Sequence, residues 1–338
     1  MLSSQLSSGW EHQRAPALSK AVIDSATGLA SGSARPSGSY LFPGVSLQYD
    51  ARSRKFADAE HRDLAPEYWD YVVDEIRRGA PLDSWRAYMC RIYRLLMDRW
   101  IPEAGWGGGL KTDLFEEALT THSLMPHMGP NTVGMDCSIG VAQAARRHLK
   151  TCGKEHLLIV CDLRHLAIRS SVIRYVLSGS SLDHFHDEKD IPISFAELHR
   201  VLIPGGTAVI TLDNPHNPVV WLRNHLPFAW LNRLRLVPYY VGPTTTRQQT
   251  CRQLEAVGFE VLDVASVAHA PRAPAIWLIA LLERFGWESP KSALSRVLDA
   301  FEFLQNWPTR FLTGYYVAYR VTKRTDGRGI GMANANSG

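Results

Sequence analysis

The chain has 338 residues, of which 45% are hydrophobic and 21% charged, and a formal net charge of +4. That length admits one large domain with extensions, and the composition is that of a globular protein with a substantial core. The charge is too small to indicate a nucleic-acid partner, and no apolar run approaches the length needed to cross a bilayer. Five scattered cysteines form no C-x-x-C pair and no disulfide framework, so a reduced, cytoplasmic setting is expected.

Residues 1–40 are rich in Ser, Ala and Gly and read as a disordered tail. The start lacks the apolar stretch of a secretion signal; being Ser-rich and acid-poor, it also admits a transit peptide. Residues 41–107 read as an N-terminal helical extension. Tyr68, Tyr71, Val72 and Ile76 recur at helical spacing, as do Trp85, Met89, Ile92, Tyr93 and Leu96, with a Gly-Pro break at 77–81 between them. These aromatic helices either cover a ligand site or simply pack on a sheet. From 108 to 323 short apolar runs alternate with amphipathic segments. Strands are predicted at 109–115, 131–135, 157–161, 173–177, 207–212, 259–267 and 315–321, with helices at 141–149 and 193–202 among them. Such alternation specifies a parallel sheet covered on both faces. An insertion at 217–250 mixes Trp, Phe and Leu with Arg, the composition of a lid or interfacial helix or of a packed helix with snorkelling arginines. Residues 324–338 read as a second disordered tail.

A parallel α/β sheet binds its ligand beyond the carboxyl ends of its strands, so the residues just after each strand carry the information. Asp136-Cys137-Ser138 follows the second. A carboxylate there is placed to accept both hydroxyls of a ribose, or to cap the next helix. Asp162-Leu163-Arg164 follows the third, where a carboxylate can accept from an exocyclic amine while a backbone N–H serves a ring nitrogen. The fourth runs into Ser178-Gly179-Ser180-Ser181-Leu182-Asp183-His184, whose small residues let backbone pass close to a ligand. The fifth is preceded by a helix ending in Pro204-Gly205-Gly206 and followed by Asp213-Asn214-Pro215-His216-Asn217-Pro218. His184, His186, Asp187 and Glu188 match no defined metal-ligand spacing, and no metal is expected.

Together these phrases resemble the class I S-adenosylmethionine-dependent methyltransferases, of the type 11-like group. The stretch 195–212, with Glu197, Arg200, Leu202 and the Pro-Gly-Gly turn, is similar to the family's approach to its fifth strand. Residues 133–138 resemble its second strand with the ribose-binding acid, and 162–166 its adenine-contacting segment. The resemblance implies a Rossmann-like α/β fold, a mostly parallel seven-stranded sheet with helices on both faces, here with an N-terminal helical cap. It also implies S-adenosylmethionine bound along Asp136, Cys137, Asp162, Leu163, Arg164, Ser178 and Gly179. The acceptor expected is a small or lipid-like molecule. His184, oriented by Asp183, is the candidate base, or else a residue that packs or caps at the surface. Asn214 and His216 are expected to face the acceptor. The first strand departs from the family. In place of a glycine-rich loop stands Gly109-Leu110-Lys111-Thr112-Asp113-Leu114. Lys111 is read as a partner of the cofactor's carboxylate and Asp113 of its amino group, or the two as a structural ion pair in a site without ligand. The rival is therefore a non-catalytic member of the fold acting in binding or assembly. A dinucleotide oxidoreductase is disfavoured, because the first turn has no glycines to seat a pyrophosphate.

Overall fold

The computed structural model describes residues 39–42, 45–47, 66–78, 83–101, 107–119, 122–151, 156–233, 241–242, 244–284 and 288–325. The expectations for the two tails fall almost wholly outside these residues. Two short strands, β1 (Ser39–Phe42) and β2 (Val45–Leu47), pair antiparallel as a separate hairpin at the start of the extension. Two helices follow. In α1 (Pro66–Arg78) proline opens the helix and Glu67 lies in the first turn, both suited to an N-terminus. In α2 (Asp83–Trp100), Trp85, Tyr88, Ile92 and Leu96 form one buried stripe at spacings of three and four.

The main sheet has seven strands: β3 (Gly109–Lys111), β4 (Val133–Asp136), β5 (Leu157–Val160), β6 (Ile173–Gly179), β7 (Leu202–Asp213), β8 (Phe259–Val267) and β9 (Tyr316–Lys323). Their spatial order is β5-β4-β3-β6-β7-β9-β8. The first five are parallel, and β9 runs antiparallel between β7 and β8. This is the Rossmann-like arrangement of class I methyltransferases. Alternation along the strands supplies both faces of the core. Tyr175, Leu177 and Val209 pack with α2 and with α4 (Ile139–Thr151). Val176, Ala208 and Ile210 pack with Phe195 and Leu198 of α5 (Asp190–Val201) and Leu254 of α8 (Arg247–Ala256).

Two predicted elements differ from those observed. The first strand stops at Lys111 instead of 115, because the chain turns at once into the short helix α3 (Phe115–Leu119). Pro204-Gly205-Gly206 is not a turn before the fifth strand but a bulge within it. β7 starts at Leu202 opposite Ile173, and Thr207 already stands opposite Tyr175. Gly205 takes φ +76° there, and a Cβ on Gly206 would lie 2.9 Å from the carbonyl oxygens of Arg174 and Ile203. The insertion holds α6 (Pro218–His225) and α7 (Phe228–Arg233). Asn217 caps α6 by accepting from Val219 N at 3.0 Å and Val220 N at 3.4 Å. After β8 come α9 (Arg272–Arg284), α10 (Glu288–Ala300) and the single turn α11 (Arg310–Thr313).

Candidate functional site

From β3 the chain builds outward to β4 and β5, then crosses back to β6 on the other side of β3. The crevice at this reversal, beyond the carboxyl ends of β3 and β6, is where such a sheet offers a ligand site. The residues singled out from the sequence do cluster along this edge. What most of them do there is hold the edge together.

After β3, Lys111 is buried, 3% exposed, with its ammonium 2.9 Å from Glu117 Oε2, 3.1 Å from Asp113 Oδ1 and 2.7 Å from the Asp113 carbonyl oxygen. Glu117 is itself fully buried and accepts from Ser123 Oγ at 3.0 Å and Leu124 N at 3.2 Å. Burial alone would lower the lysine's pKa, but the two carboxylates outweigh it and hold the ammonium charged. Burial pushes the Asp113 carboxyl up despite the lysine. Lys111 and Asp113 thus form an ion pair, enlarged by Glu117. The lysine's three N–H donors are all matched within the chain. Thr112 Oγ1 donates to Ser178 Oγ at 3.0 Å and lies 2.9 Å from Ser181 Oγ, which ties β3 to the end of β6.

After β4, Asp136 is 8% exposed. Its Oδ1 accepts from Ser138 N at 2.9 Å and its Oδ2 from Leu114 N at 3.0 Å. It therefore caps the entry to α4 and also pins the turn after β3. Burial pushes its carboxyl up to about 6, only partly offset by those two amides. Asp70, from α1, reaches the same helix start: its Oδ1 accepts from Ser138 Oγ and from Val141 N, the latter at 3.2 Å. Cys137 is half-buried, and burial followed by the charge of Asp136 pushes its thiol up to about 12, so it is no nucleophile.

After β5, Asp162 is clasped by Arg164, whose Nε lies 3.1 and 3.0 Å from the two carboxylate oxygens and whose backbone N donates to Oδ1 at 2.8 Å. Arg164 also pairs with Asp190 at 2.9 Å and stands over the Phe185 ring. These bonds hold the Asp162 carboxyl below its usual range against its partial burial. Leu163 is a core residue.

At the end of β6, Ser178 is buried and Gly179 faces α2. A Cβ on Gly179 would meet the Tyr93 ring at 3.2 Å, and Tyr93 Oη lies 3.0 Å from Thr211 Oγ1. The small residue thus makes room for Tyr93. Asp183, read as the group that orients His184, turns its Oδ1 to Asp213 N at 3.0 Å and its Oδ2 to Ser180 Oγ at 2.9 Å. Burial, and then the neighbouring Asp213, raise its carboxyl well above the ordinary range. His184 is half-buried, its ring edge-on to Trp69 at 4.8 Å; Trp69 in turn meets the Phe115 ring at 6.2 Å. One side chain of α1 therefore bridges the loops after β3 and β6, across the reversal point.

After β7, Asn214 is buried and both of its amide N–H donors are engaged. Nδ2 donates to the carbonyls of Phe311 at 2.7 Å and Gly314 at 2.8 Å, and Oδ1 accepts from His216 N at 3.1 Å. These bonds fasten β7 to the approach to β9. His216 is exposed. Asp213 forms a buried pair with Arg223 of α6 at 2.5 Å. Among the described residues, no three His, Cys, Asp or Glu side chains are grouped to hold a metal ion.

Sequence reasoning missed Asp70, Trp69 and Glu117. Glu117 carried a weak signal, as an acid in the first turn of a helix just past the lysine. Asp70 and Trp69 carried none, because they reach the edge from a helix far away in sequence.

Residues 103–210 match the family model described as a methyltransferase domain. Solved structures similar to the chain include a putative sarcosine dimethylglycine methyltransferase from Galdieria sulphuraria, 13% identical with a TM-score of 0.48, over 69% of this chain and 86% of that one. The [4+2]-cyclase SpnF is 16% identical with a TM-score of 0.45, over 70% and 81%. A Haemonchus contortus phosphoethanolamine N-methyltransferase 2 is 16% identical with a TM-score of 0.46, over 69% and 52%. No protein with a curated description matches the chain by sequence.

Proposed function

With the class I methyltransferase resemblance borne out over residues 103–210, we propose that this protein transfers a methyl group from S-adenosylmethionine to a small or lipid-like acceptor. Asp136 is the observation that carries this reading. It sits at the carboxyl end of β4, beside the reversal of strand order, and each of its oxygens accepts a single amide N–H. A carboxylate oxygen has two lone pairs, so capacity remains for ribose hydroxyls. Asp162, whose side chain is 38% exposed, is the partner for an exocyclic amine. The nucleoside half of the cofactor thus fits the residues present. Bound there, the cofactor would supply a sulfonium-activated methyl, for which an oriented acceptor needs little further catalysis. Where the acceptor carries a proton, His184 is the candidate base. The four described cysteines are all free thiols, which supports a cytoplasmic setting.

A second reading has its own observation. The Lys111–Glu117 pair fills the position of the glycine-rich loop, and Trp69 bridges the reversal point. Both features suit a protein that keeps the fold for binding or assembly. Titration calorimetry with S-adenosylmethionine and with S-adenosylhomocysteine separates the two. Micromolar binding that weakens about tenfold to a hundredfold in Asp136→Ala, as expected for lost hydrogen bonds, supports methyl transfer. No binding of either compound to a well-folded sample would leave the second reading.

A further inference from the structure

Every tryptophan that is more than half exposed among the described residues lies beyond β7 in the chain: Trp221, Trp230, Trp277 and Trp307. Two of them stand on α6 and α7. Among the described apolar side chains, these helices bury Val220 and Leu231, and they and the turn between them leave Val219, Trp221 (53% exposed), Leu222, Leu226 and Trp230 (67% exposed) in solvent. A third, Trp307, lies just before α11, whose last residue meets the start of α6: Asn217 Nδ2 donates to Thr313 O at 3.0 Å. The apolar side chains therefore share the edge of the sheet where β7 ends and β9 begins, the same edge as Asp136 and His184.

The charge along these segments has one sign. Between Asp213 and Glu255 the chain carries five arginines and no acid. Between Glu302 and the start of β9 at Tyr316 it carries one arginine, Arg310, and no acid. Two of the cations are held in place: Arg247 and Arg310 both stand over the Phe311 ring, at 4.2 and 5.0 Å from its centroid. No helix of the described residues is long and apolar enough to cross a membrane. Exposed Trp and Leu on short helices, bordered by cations and free of acids, have the chemistry of a surface that lies in the interface of an anionic bilayer.

We propose that the face formed by α6, α7 and the approach to α11 docks on an anionic lipid bilayer. The arginine of α6 that faces inward, Arg223, anchors the helix to Asp213, so the apolar face is held outward on a fixed support. The docking does not depend on methyl transfer. If both hold, docking turns the carboxyl edge of the sheet toward the membrane, where a lipid-like acceptor resides.

The test uses the full chain, shown to be monodisperse by light scattering. It is sedimented with vesicles of phosphatidylcholine alone and of phosphatidylcholine mixed with phosphatidylserine. At low salt the protein is expected to bind the mixed vesicles, with a blue shift of tryptophan emission, and to be released by salt. Trp221→Ser/Trp230→Ser is expected to bind roughly tenfold more weakly, with unchanged thermal unfolding because both side chains are exposed. Arg310→Glu is expected to weaken binding to the anionic vesicles. The proposal is overturned if the wild type ignores both vesicle types or if the double variant binds as the wild type does. It is also overturned if the wild type is a dimer that the double variant splits, since the patch would then be covered by a second copy.

Discussion

Replacing Lys111 by methionine tests whether the segment after β3 is a structural device. Methionine keeps the length and apolar stem of the side chain and removes only the ammonium. Glu117, fully buried, then keeps its bonds from Ser123 and Leu124 but loses the counter-ion at 2.9 Å. Breaking one side of a buried pair costs about 3–5 kcal/mol, most of it from the stranded charge. Replacing Glu117 as well removes that charge, while Asp113 still lacks its cation and Ser123 and Leu124 lose their acceptor, so Lys111→Met/Glu117→Leu should recover part of the loss. Urea unfolding followed by circular dichroism measures both, and the slope with denaturant should stay constant while the midpoint moves. A loss under about 1 kcal/mol in the single variant would refute the reasoning. So would a double variant no better than the single, since the energy would then lie in the lysine's own contacts.

Three further outcomes are expected. Asp136 has a folded pKa of about 6 against the usual carboxylate range, so the folded state holds its proton longer than the unfolded chain does. Its contribution favours the fold fully below about pH 4 and is lost as pH rises toward 6, by about 3 kcal/mol at most. In Asp136→Asn, urea midpoints measured across that window should lack this fall. Asn214→Ala should cost about 2–3 kcal/mol in the same assay, because two buried carbonyls lose their donor; a neutral result would return Asn214 to the pool of acceptor-facing residues. Arg223→Met should destabilise by about 3–5 kcal/mol, since Asp213 would be left without its cation beside the already buried Asp183. That loss should shrink in Arg223→Met/Asp213→Asn.

The strands were legible because their signal is local. Runs such as Tyr175-Val176-Leu177 must alternate between two cores to be useful at all, and the turn residues after them stand out in sequence. The Lys111 cluster was half legible. Its lysine and aspartate are visible two residues apart, but the decisive partner, Glu117, becomes a neighbour only because the strand stops early and the chain turns into a helix. The internal bonds of Asn214 and Asp183 were not legible for one reason: a polar residue just past a strand looks the same whether it faces a ligand or another loop. What distinguishes them is the carbonyls of Phe311 and Gly314 and the amide of Asp213, about 100 and 30 residues away. The bridge by Trp69 belongs to the same class of information, since nothing in the spacing of a helix records which distant ring it will meet.

The placing of β9 between β7 and β8 has a consequence for the timing of folding. β8 pairs with β9 and with no other strand of the sheet. During synthesis it is completed before residues 268–315 have been made, and at roughly 5–20 residues per second that delay lasts several seconds. For that interval β8 is a strand without a neighbour, and the outer side of β7 is an open edge of the kind that recruits foreign strands. The nascent chain would then be most in need of chaperone cover after β8 has emerged and before β9 closes the gap.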